Sequence, residues 1–270
     1  GAGDLYDILV MPTNSRFSKR IKANNFKPFS SFSHERETAS PGYYSVDLLD
    51  YGIKAELTAT ERTGIHRYTF PEDDTTQIHI DLGYALNWDS PTETHLKVVN
   101  NTTIEGYRKS TGWAKDQRVY FVIKVSKPFK EYKIFKNGTV TKSPVTDKDT
   151  KIVLNYDTAA NEQIVLKTGI STANIAGAYQ SLEIEAPHFD FDVIKNEAEN
   201  KWETQLRKID ITVADDTKKH IFYTMLYQSM LAPTLLSDHD GNYKGANDKT
   251  MNAKGFDRYD TFSLWDTYRA

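Results

Sequence analysis

The sequence predicts a mainly β protein, a large antiparallel β-sandwich followed by helices in the last third of the chain. From residue 5 to about residue 185, short apolar segments alternate with a period of two between turn signals. No helical pattern interrupts them, and about a dozen strands without crossover helices favour an antiparallel sandwich over βαβ units. Near residue 187 the apolar spacing changes from two to four, which predicts helices.

The predicted strands follow one another through short connections. They lie at residues 5–11, 43–49, 53–60, 65–70, 77–82, 94–99, 102–107, 118–125, 132–135, 151–156, 163–170 and 181–184. Pro12 is expected to end the first strand, because proline has no N–H to donate to a sheet. Residues 50–52 (Asp-Tyr-Gly) and 137–138 (Asn-Gly) are hairpin signals, since Gly and Asn tolerate a positive φ.

Two amphipathic helices are predicted after the strands. The first covers residues 190–208, with acidic residues early and basic residues late. Its apolar residues recur every four positions, at Ile194, Ala198, Trp202 and Leu206. The second helix can be capped by Asp215 or Asp216 and ends before Pro233. Its apolar stripe consists of Ile221, Phe222, Met225, Leu226 and Met230. A polar segment, residues 237–260, precedes a last helical stretch.

Charge and composition exclude several classes of protein. The chain has 34 Lys and Arg against 37 Asp and Glu, so it has no basic excess for binding nucleic acid or an anionic membrane surface. No apolar run is long enough to span a bilayer. The absence of cysteine excludes disulfides, zinc–thiolate sites, iron–sulfur clusters and thiol nucleophiles, but leaves the compartment open. Residues 261–270 have a helical pattern without a stop signal, so we expect the sequence to continue beyond Ala270.

Two features of the sequence could indicate a metal site: a possible calcium loop and the histidines. Residues 238–242 (Asp-His-Asp-Gly-Asn) are rich in oxygen ligands, but an EF-hand loop has Gly at the sixth position and Glu at the twelfth. Here Gly241 is fourth and Lys249 is twelfth, so a hairpin loop is favoured. His66 and His79 fall on predicted strands, where a histidine is more often structural than a metal ligand.

Residues 259–269 carry the most informative group of side chains. Trp265, Asp266 and Arg269 lie within five residues of one another. An indole can stack on the CH face of a sugar, while a carboxylate and a guanidinium bind neighbouring hydroxyls. The same residues on a helix are also typical of core packing with a cap or an ion pair, so composition leaves both interpretations open.

A family resemblance starts from residues 261–270, which have the sequence Thr-Phe-Ser-Leu-Trp-Asp-Thr-Tyr-Arg-Ala. This run resembles the signature of glycoside hydrolase family 92, the calcium-dependent exo-acting α-mannosidases abundant in gut Bacteroidetes. Further segments resemble that family in the same order, at residues 7–12, 32–35, 41–46, 51–60, 66–68, 222–224, 237–238 and 240–241. The resemblance covers nearly the whole chain. Asp260 departs from it, because a small residue is expected there.

The resemblance implies a domain organisation and a chemistry. It implies a β-sandwich over residues 1–187, a helical linker over 188–213 and the start of an (α/α)6 catalytic barrel over 214–270. It also implies inversion, which requires an acid and a base about 6.5 to 9.5 Å apart. In this family those two groups and the Ca²⁺ ligands lie in later barrel segments, so neither is expected among these residues. Asp266 is expected to bind hydroxyls of the terminal mannose, with Trp265 and Arg269 as further substrate-binding candidates.

Two functions of different kinds remain at this point. The first is part of an exo-α-mannosidase, with α-1,2 linkages as the expected substrate and mannose-containing glycans and the rest of the barrel as partners. Its expected location is the periplasm, the cell surface or the medium of a bacterium. The alternative is a non-catalytic carbohydrate-binding sandwich with a helical tail. Two amphipathic helices followed by the family signature favour the enzyme.

Overall fold

The computed structural model describes residues 8–18, 28–85, 89–112, 114–246 and 249–260. Its strands are β1 (Leu9–Thr13), β2 (Glu37–Ser40), β3 (Tyr43–Leu48), β4 (Ile53–Ala59), β5 (Thr63–Phe70), β6 (Asp73–Asp81), β7 (Ser90–Asn100), β8 (Thr103–Thr111), β9 (Gln117–Val125), β10 (Glu131–Lys136), β11 (Thr139–Thr141), β12 (Val145–Asp147), β13 (Thr150–Thr158), β14 (Glu162–Ser171), β15 (Asn242–Lys244) and β16 (Thr250–Asn252). Its helices are α1 (Ser15–Ser18), α2 (Ile175–Glu185), α3 (Phe191–Leu206) and α4 (Asp216–Ser229), with a 3-10 turn at His34–Arg36.

Two antiparallel sheets form the predicted sandwich. The smaller has the strand order β1-β6-β13-β10-β11, and the larger has the order β12-β7-β8-β9-β14-β5-β4-β3-β2. One buried cluster joins them, with Ile80 and Leu154 from the smaller sheet packed against Phe121 and Leu166 from the larger. The period of two in the sequence places these apolar side chains on the inner faces. The predicted fold class is confirmed.

Helices α2 and α3 cover the outer face of the larger sheet. Leu182 of α2 packs on Val122 of β9. Phe191 and Ile194 of α3 pack on Ile65 of β5. Each helix therefore buries one apolar face against the sandwich, as an amphipathic helix requires. The predicted helix at 190–208 is confirmed.

The predicted strand at residues 181–184 is wrong, because these residues belong to α2. Asn174 caps this helix, its side-chain oxygen accepting a hydrogen bond from the Gly177 N–H at 2.9 Å. Gly169 of β14 lets the helix lie close to the sheet, since a Cβ there would be 2.3 Å from the Ala178 carbonyl oxygen. Four residues of alternating polarity cannot distinguish a strand from a helix, and packing on the sheet decides it here.

Strand β1 continues through Pro12, which was expected to end it. Pro12 lies opposite Ile78 on β1, the edge strand of the smaller sheet, where a missing N–H costs no ladder bond on the open side. Residues 5–7 of the predicted strand lie outside the described part of the chain. Strands β2, β11, β12, β15 and β16 were not predicted, because segments of three or four residues show no measurable periodicity.

The hairpin and capping signals are confirmed. Gly52 has a φ of 63° between β3 and β4, while Asn137 and Gly138 have φ values of 47° and 77° between β10 and β11. Both central residues of the second turn thus have the positive φ that a two-residue hairpin needs. Asp190 caps α3, and Asp215, one of the two predicted caps, accepts hydrogen bonds from the first turn of α4.

Helix α4 leaves part of its apolar stripe exposed to solvent. None of its residues is buried, and the side chains of Ile221 and Met225 are 56% and 53% exposed. Its contact with α3 includes an edge-to-face pair between Trp202 and Tyr227, with ring centroids 4.6 Å apart. Of the helices that the structure describes, none combines the length and the apolar character needed to cross a membrane.

Candidate functional site

The predicted sugar-binding residues Trp265, Asp266 and Arg269 lie outside the described residues, as does the last predicted helix at 261–270. Their roles therefore stay predictions. The structure does describe residues 231–246 and 249–260, the segment that leads to them. This segment is held against one end of the sandwich by a set of polar contacts.

A short ladder precedes the predicted site. The backbone N–H of Asp260 donates to the Thr234 carbonyl at 2.9 Å, and the Thr234 N–H donates to Asp260 Oδ1 at 2.7 Å. The Leu236 N–H donates to the Arg258 carbonyl at 2.8 Å. Asp260, which departs from the family pattern, therefore has a structural role: its side chain closes the ladder.

Asp238 joins this segment to the sandwich. It is 4% exposed, and the Ser171 hydroxyl at the end of β14 donates to its Oδ2 at 2.6 Å. The same hydroxyl oxygen accepts from the N–H groups of Ala173 and Asn174, so its hydrogen is directed at the carboxylate. A Cβ at Gly177 would lie 2.1 Å from Oδ2, so the carboxylate lies directly against the first turn of α2.

The surroundings of Asp238 raise its pKa to about 6. Burial is the main cause, because an apolar environment disfavours the ionised form, and the nearby Asp240 carboxylate adds to it. The Ser171 hydroxyl and the charge of Arg62 act in the opposite direction without cancelling it. Asp238 therefore changes its charge between mildly acidic and neutral pH.

An ionic network lies beside this carboxylate. Arg62, in the turn between β4 and β5, donates from Nε to the Ser237 carbonyl at 2.8 Å and from Nη1 to Glu185 Oε1 at 2.9 Å. The Glu185 side chain, at the end of α2, is 5% exposed and also contacts His239 Nε2 at 2.7 Å. The hydroxyl of Thr60 donates to the same carboxylate. Buried charges are stable in such a place only when they are paired and hydrogen-bonded.

The hairpin loop predicted at residues 238–242 is instead a turn that leads into β15, the first strand of a hairpin. The Gly241 N–H donates to the Asp238 carbonyl at 2.9 Å, and β15 and β16 pair directly after this turn. Asp240 uses its oxygens within the turn, accepting from the backbone and the side chain of Asn242. In the described ranges no group of three or more His, Asp or Glu side chains could hold a metal ion. The expected Ca²⁺ ligands elsewhere stay a prediction.

A groove of about 1520 Å³ lies between α3, α4 and the β2–β3 turn. Its lining includes the rings of Trp202, Tyr223 and Tyr227 and charged groups such as Glu203 and Arg207. Such a lining suits either a sugar or another helix. The groove therefore does not define a site by itself.

The two strand histidines are structural, as predicted. His66 Nδ1 lies 2.6 Å from the Tyr68 hydroxyl, and His79 Nε2 lies 2.9 Å from the Thr13 hydroxyl. Burial lowers the pKa of each histidine to about 4, so both are neutral at physiological pH.

The fold defines the class of protein: an antiparallel sandwich whose last strand, β14, is followed by helices α2, α3 and α4. A sequence model described as the glycosyl hydrolase family 92 N-terminal domain matches residues 1–171. A model described as the glycosyl hydrolase family 92 catalytic domain matches residues 177–270. The chain belongs to glycosyl hydrolase family 92, which confirms the resemblance seen in the sequence.

Three relatives document the similarity. A family GH92 α-mannosidase from Bacteroides thetaiotaomicron is 34% identical, with a TM-score of 0.90 over 99% of this chain and 37% of its own. A family GH92 inverting mannosidase from Bacteroides thetaiotaomicron VPI-5482 shares the fold, with 22% identity and a TM-score of 0.82 over 97% of this chain and 35% of its own. An uncharacterised secreted glycosidase from Arthroderma benhamiae is 25% identical over 86% of this chain and 32% of its own. The chain spans about a third of these relatives.

The two family models meet between residues 171 and 177, where β14 ends and α2 begins. Our division at residue 187 instead groups α2 with the sheet on which it packs. The contacts of Asp238 and Arg62 cross this junction from one matched range to the other. Sequence reasoning missed Ser171, Arg62 and Glu185, because their partners lie far away in the chain and no local motif marks them.

Proposed function

We propose that this chain is part of a calcium-dependent, inverting exo-α-mannosidase that removes terminal mannose from glycans, with α-1,2 linkages as its substrate. One observation carries the proposal: 34% identity over 99% of the chain to an α-mannosidase of the same family. That relative has also been solved in complex with mannoimidazole. The inverting reaction, the calcium and the linkage rest on the family resemblance of the sequence.

This chain and the rest of the catalytic domain have different roles in the proposed reaction. The sandwich and its junction with the helices support the catalytic domain, and Asp266, with Trp265 and Arg269, binds the terminal mannose. The general acid and base, about 6.5 to 9.5 Å apart in an inverting enzyme, are assigned to sequence beyond these residues. Calcium, when bound, would polarise oxygen atoms of the substrate and the water as a hard Lewis acid. No described group of carboxylates fits this ion, so we derive no step through it.

We also propose a location outside the cytoplasm, in the periplasm, at the cell surface or in the medium. The relative from Arthroderma benhamiae, described as secreted, supports this location. Fractionation of the source cells, with an antibody against the sandwich, tests it. Protein found in the cytoplasmic fraction alone would contradict it.

The test of function uses the complete protein, meaning this chain together with the rest of its catalytic domain. Incubation with α-1,2-mannobiose should release mannose that is initially the β-anomer, since inversion turns an α-linkage into a β-hemiacetal. One-dimensional NMR resolves the two anomers before mutarotation. A chelator should abolish turnover and added Ca²⁺ should restore it. The 270-residue chain alone should release no mannose, and a folded complete protein that releases none would contradict the proposal.

Asp266 offers the sharpest test of the proposed binding site. Asp266→Asn keeps the shape of the side chain but loses the charge that accepts two hydrogen bonds from neighbouring hydroxyls. We expect kcat/KM of the complete protein to fall about ten- to a hundredfold, equivalent to about 1.5 to 3 kcal/mol. A share of the loss should lie in kcat if the contact strengthens in the transition state. Normal kinetics with a lowered Tm would show that Asp266 only supports the fold.

A further inference from the structure

A buried carboxylate at the junction has no part in the proposed reaction. Asp238 is 4% exposed, is aligned by the Ser171 hydroxyl at 2.6 Å and lies against the first turn of α2. We propose that Asp238 is a positioning residue, which fixes the ladder preceding residue 261 to the sandwich and so sets where the segment carrying Asp266 begins. This inference rests on the proposed function for its catalytic consequence, but not for its structural one.

Two consecutive residues, Ser237 and Asp238, are each hydrogen-bonded to the sandwich. The side chain of Asp238 is held by Ser171, and the carbonyl of Ser237 accepts from Arg62 Nε at 2.8 Å. Ser171 and Arg62 both belong to the sandwich, and the Ile170 N–H donates to the Arg62 carbonyl at 3.0 Å, which ties them together. Two directional contacts on adjacent residues fix both the place and the orientation of the backbone there.

The same residues also hold the other side of the ladder. The Ser237 hydroxyl oxygen accepts from the Arg258 N–H at 3.1 Å, and the Ser237 N–H donates to the Arg258 carbonyl at 3.2 Å. Arg258 is two residues before Asp260, whose side chain is bonded to Thr234. A short series of hydrogen bonds, all between described residues, therefore connects the sandwich to the segment that ends at Asp260.

Stability alone is a poor explanation for this carboxylate. Burial raises the pKa of Asp238 to about 6, so at neutral pH the ionised group lowers the stability of the folded state. The charge of Arg62 does not offset that cost, while the carboxylate of Asp240 adds to it. The hydrogen bond to Ser171 instead fixes the Asp238 side chain in one position against α2. A buried polar contact can specify one conformation in this way.

The test compares Asp238→Ala with Asp240→Ala in the complete protein. Asp240 is a matched control, because it lies in the same turn and the hydrogen bonds described for its side chain stay within that turn, to Asn242. We expect Asp238→Ala to increase hydrogen exchange over residues 256–260 and to lower kcat/KM on an α-mannoside about tenfold or more, since small misplacements in a site have large kinetic effects. Asp240→Ala should change neither quantity by more than about twofold.

A conservative variant separates positioning from stability. Asp238→Asn keeps an oxygen that accepts from Ser171, so it should retain most of the wild-type kinetics and exchange protection. If Asp238→Ala does not fold, Ser171→Ala supplies the same comparison from the other side of the contact. A fall in Tm with unchanged exchange and unchanged kcat and KM below the transition would overturn the inference.

The two proposals fail in different ways. If the complete wild-type protein hydrolyses no mannoside, the proposed function fails, and the exchange of residues 256–260 still decides the structural claim. If wild type is active but Asp238→Ala has wild-type exchange and kinetics, the positioning inference fails and the function stands. Increased exchange in Asp238→Ala with unaltered kinetics would also overturn the role in positioning Asp266.

Discussion

Strand β14 and helix α4 both carry apolar residues, but they differ strongly in how many of their residues are buried. Seven of the ten residues of β14 are buried, against none of the fourteen in α4. The sandwich buries a core of its own, whereas among the described residues α4 contacts α3 through the ring of Trp202 and buries no side chain. An amphipathic helix of this length gains most of its stability from tertiary packing. The apolar stripe of α4 therefore requires further partners, which we assign to the rest of the catalytic domain.

The largest expected effect is on the free energy of unfolding, when an isoleucine is replaced by alanine in each of the two regions. Ile80→Ala, in the fully buried core between the sheets, should lower the free energy of unfolding by about 2 to 5 kcal/mol. Ile221→Ala, on the exposed stripe of α4, should change it by less than about 0.5 kcal/mol in the 270-residue chain. Urea denaturation measures both. Similar losses in the two variants would show that α4 is part of the core.

An acid-sensitive ion pair joins the sandwich to α3. Burial raises the pKa of Glu56, but hydrogen bonds from Arg67 and Tyr43 outweigh it and lower the pKa to about 2. Arg67 also bonds Asp192 in the first turn of α3 at 2.8 Å. Because the folded pKa lies below the unfolded one, the stabilisation is present above about pH 4.5 and is lost as the pH falls towards 2.

Glu56→Gln should remove this contribution. Allowing for partial solvent screening, we expect a loss of about 2 kcal/mol at pH 7 and little difference from wild type near pH 2. Chemical denaturation across that range measures it. Equal differences between variant and wild type at every pH would show that the ion pair is not the cause.

The junction carboxylate should behave in the opposite sense. Because the folded pKa of Asp238 is raised to about 6, the folded state binds the proton more tightly, and stability falls as the pH rises from about 4 to 6. Asp238→Asn removes that dependence and should stabilise the protein by about 1 to 2 kcal/mol at pH 7, with little effect at pH 4. Asp240→Asn should weaken the dependence only slightly, because the Asp240 carboxylate contributes less than burial to the raised pKa. Destabilisation of Asp238→Asn at pH 7 would contradict the assigned cause.

The smallest effect on unfolding is expected for substitutions on α4 that reduce self-association. The exposed stripe of α4 should make the 270-residue chain self-associate, since a contiguous apolar patch is an association site. Replacing Ile221 with Lys and Met225 with Glu should shift the chain towards monomer, with a change in Tm below about 2 °C. Analytical ultracentrifugation at several concentrations measures the shift. Unchanged association would place the contact on another surface.

Much of the sandwich was predictable because its signals are local. Alternation with a period of two located nearly all of the long strands, and Asn137-Gly138 identified its turn from two residues. Helix α2 was not predicted, because it packs on the sheet where Gly169 has no side chain to obstruct it. The periodicity of the sequence does not reveal such a contact. The junction was missed for a related reason: Arg62 and Ser237 are 175 positions apart in the chain. The sugar-binding residues came from a motif, and their placement stays a prediction.

Hydrogen exchange of α4 and β14, compared between the 270-residue chain and the complete protein, tests the central contrast most directly. The amides of β14 should be equally protected in both proteins, because their partners β5 and β9 are present in each. The amides of α4 should be at least about tenfold less protected in the 270-residue chain, since local stability follows local packing. Equal protection of α4 in the two proteins would contradict the assignment of its apolar stripe to the rest of the catalytic domain.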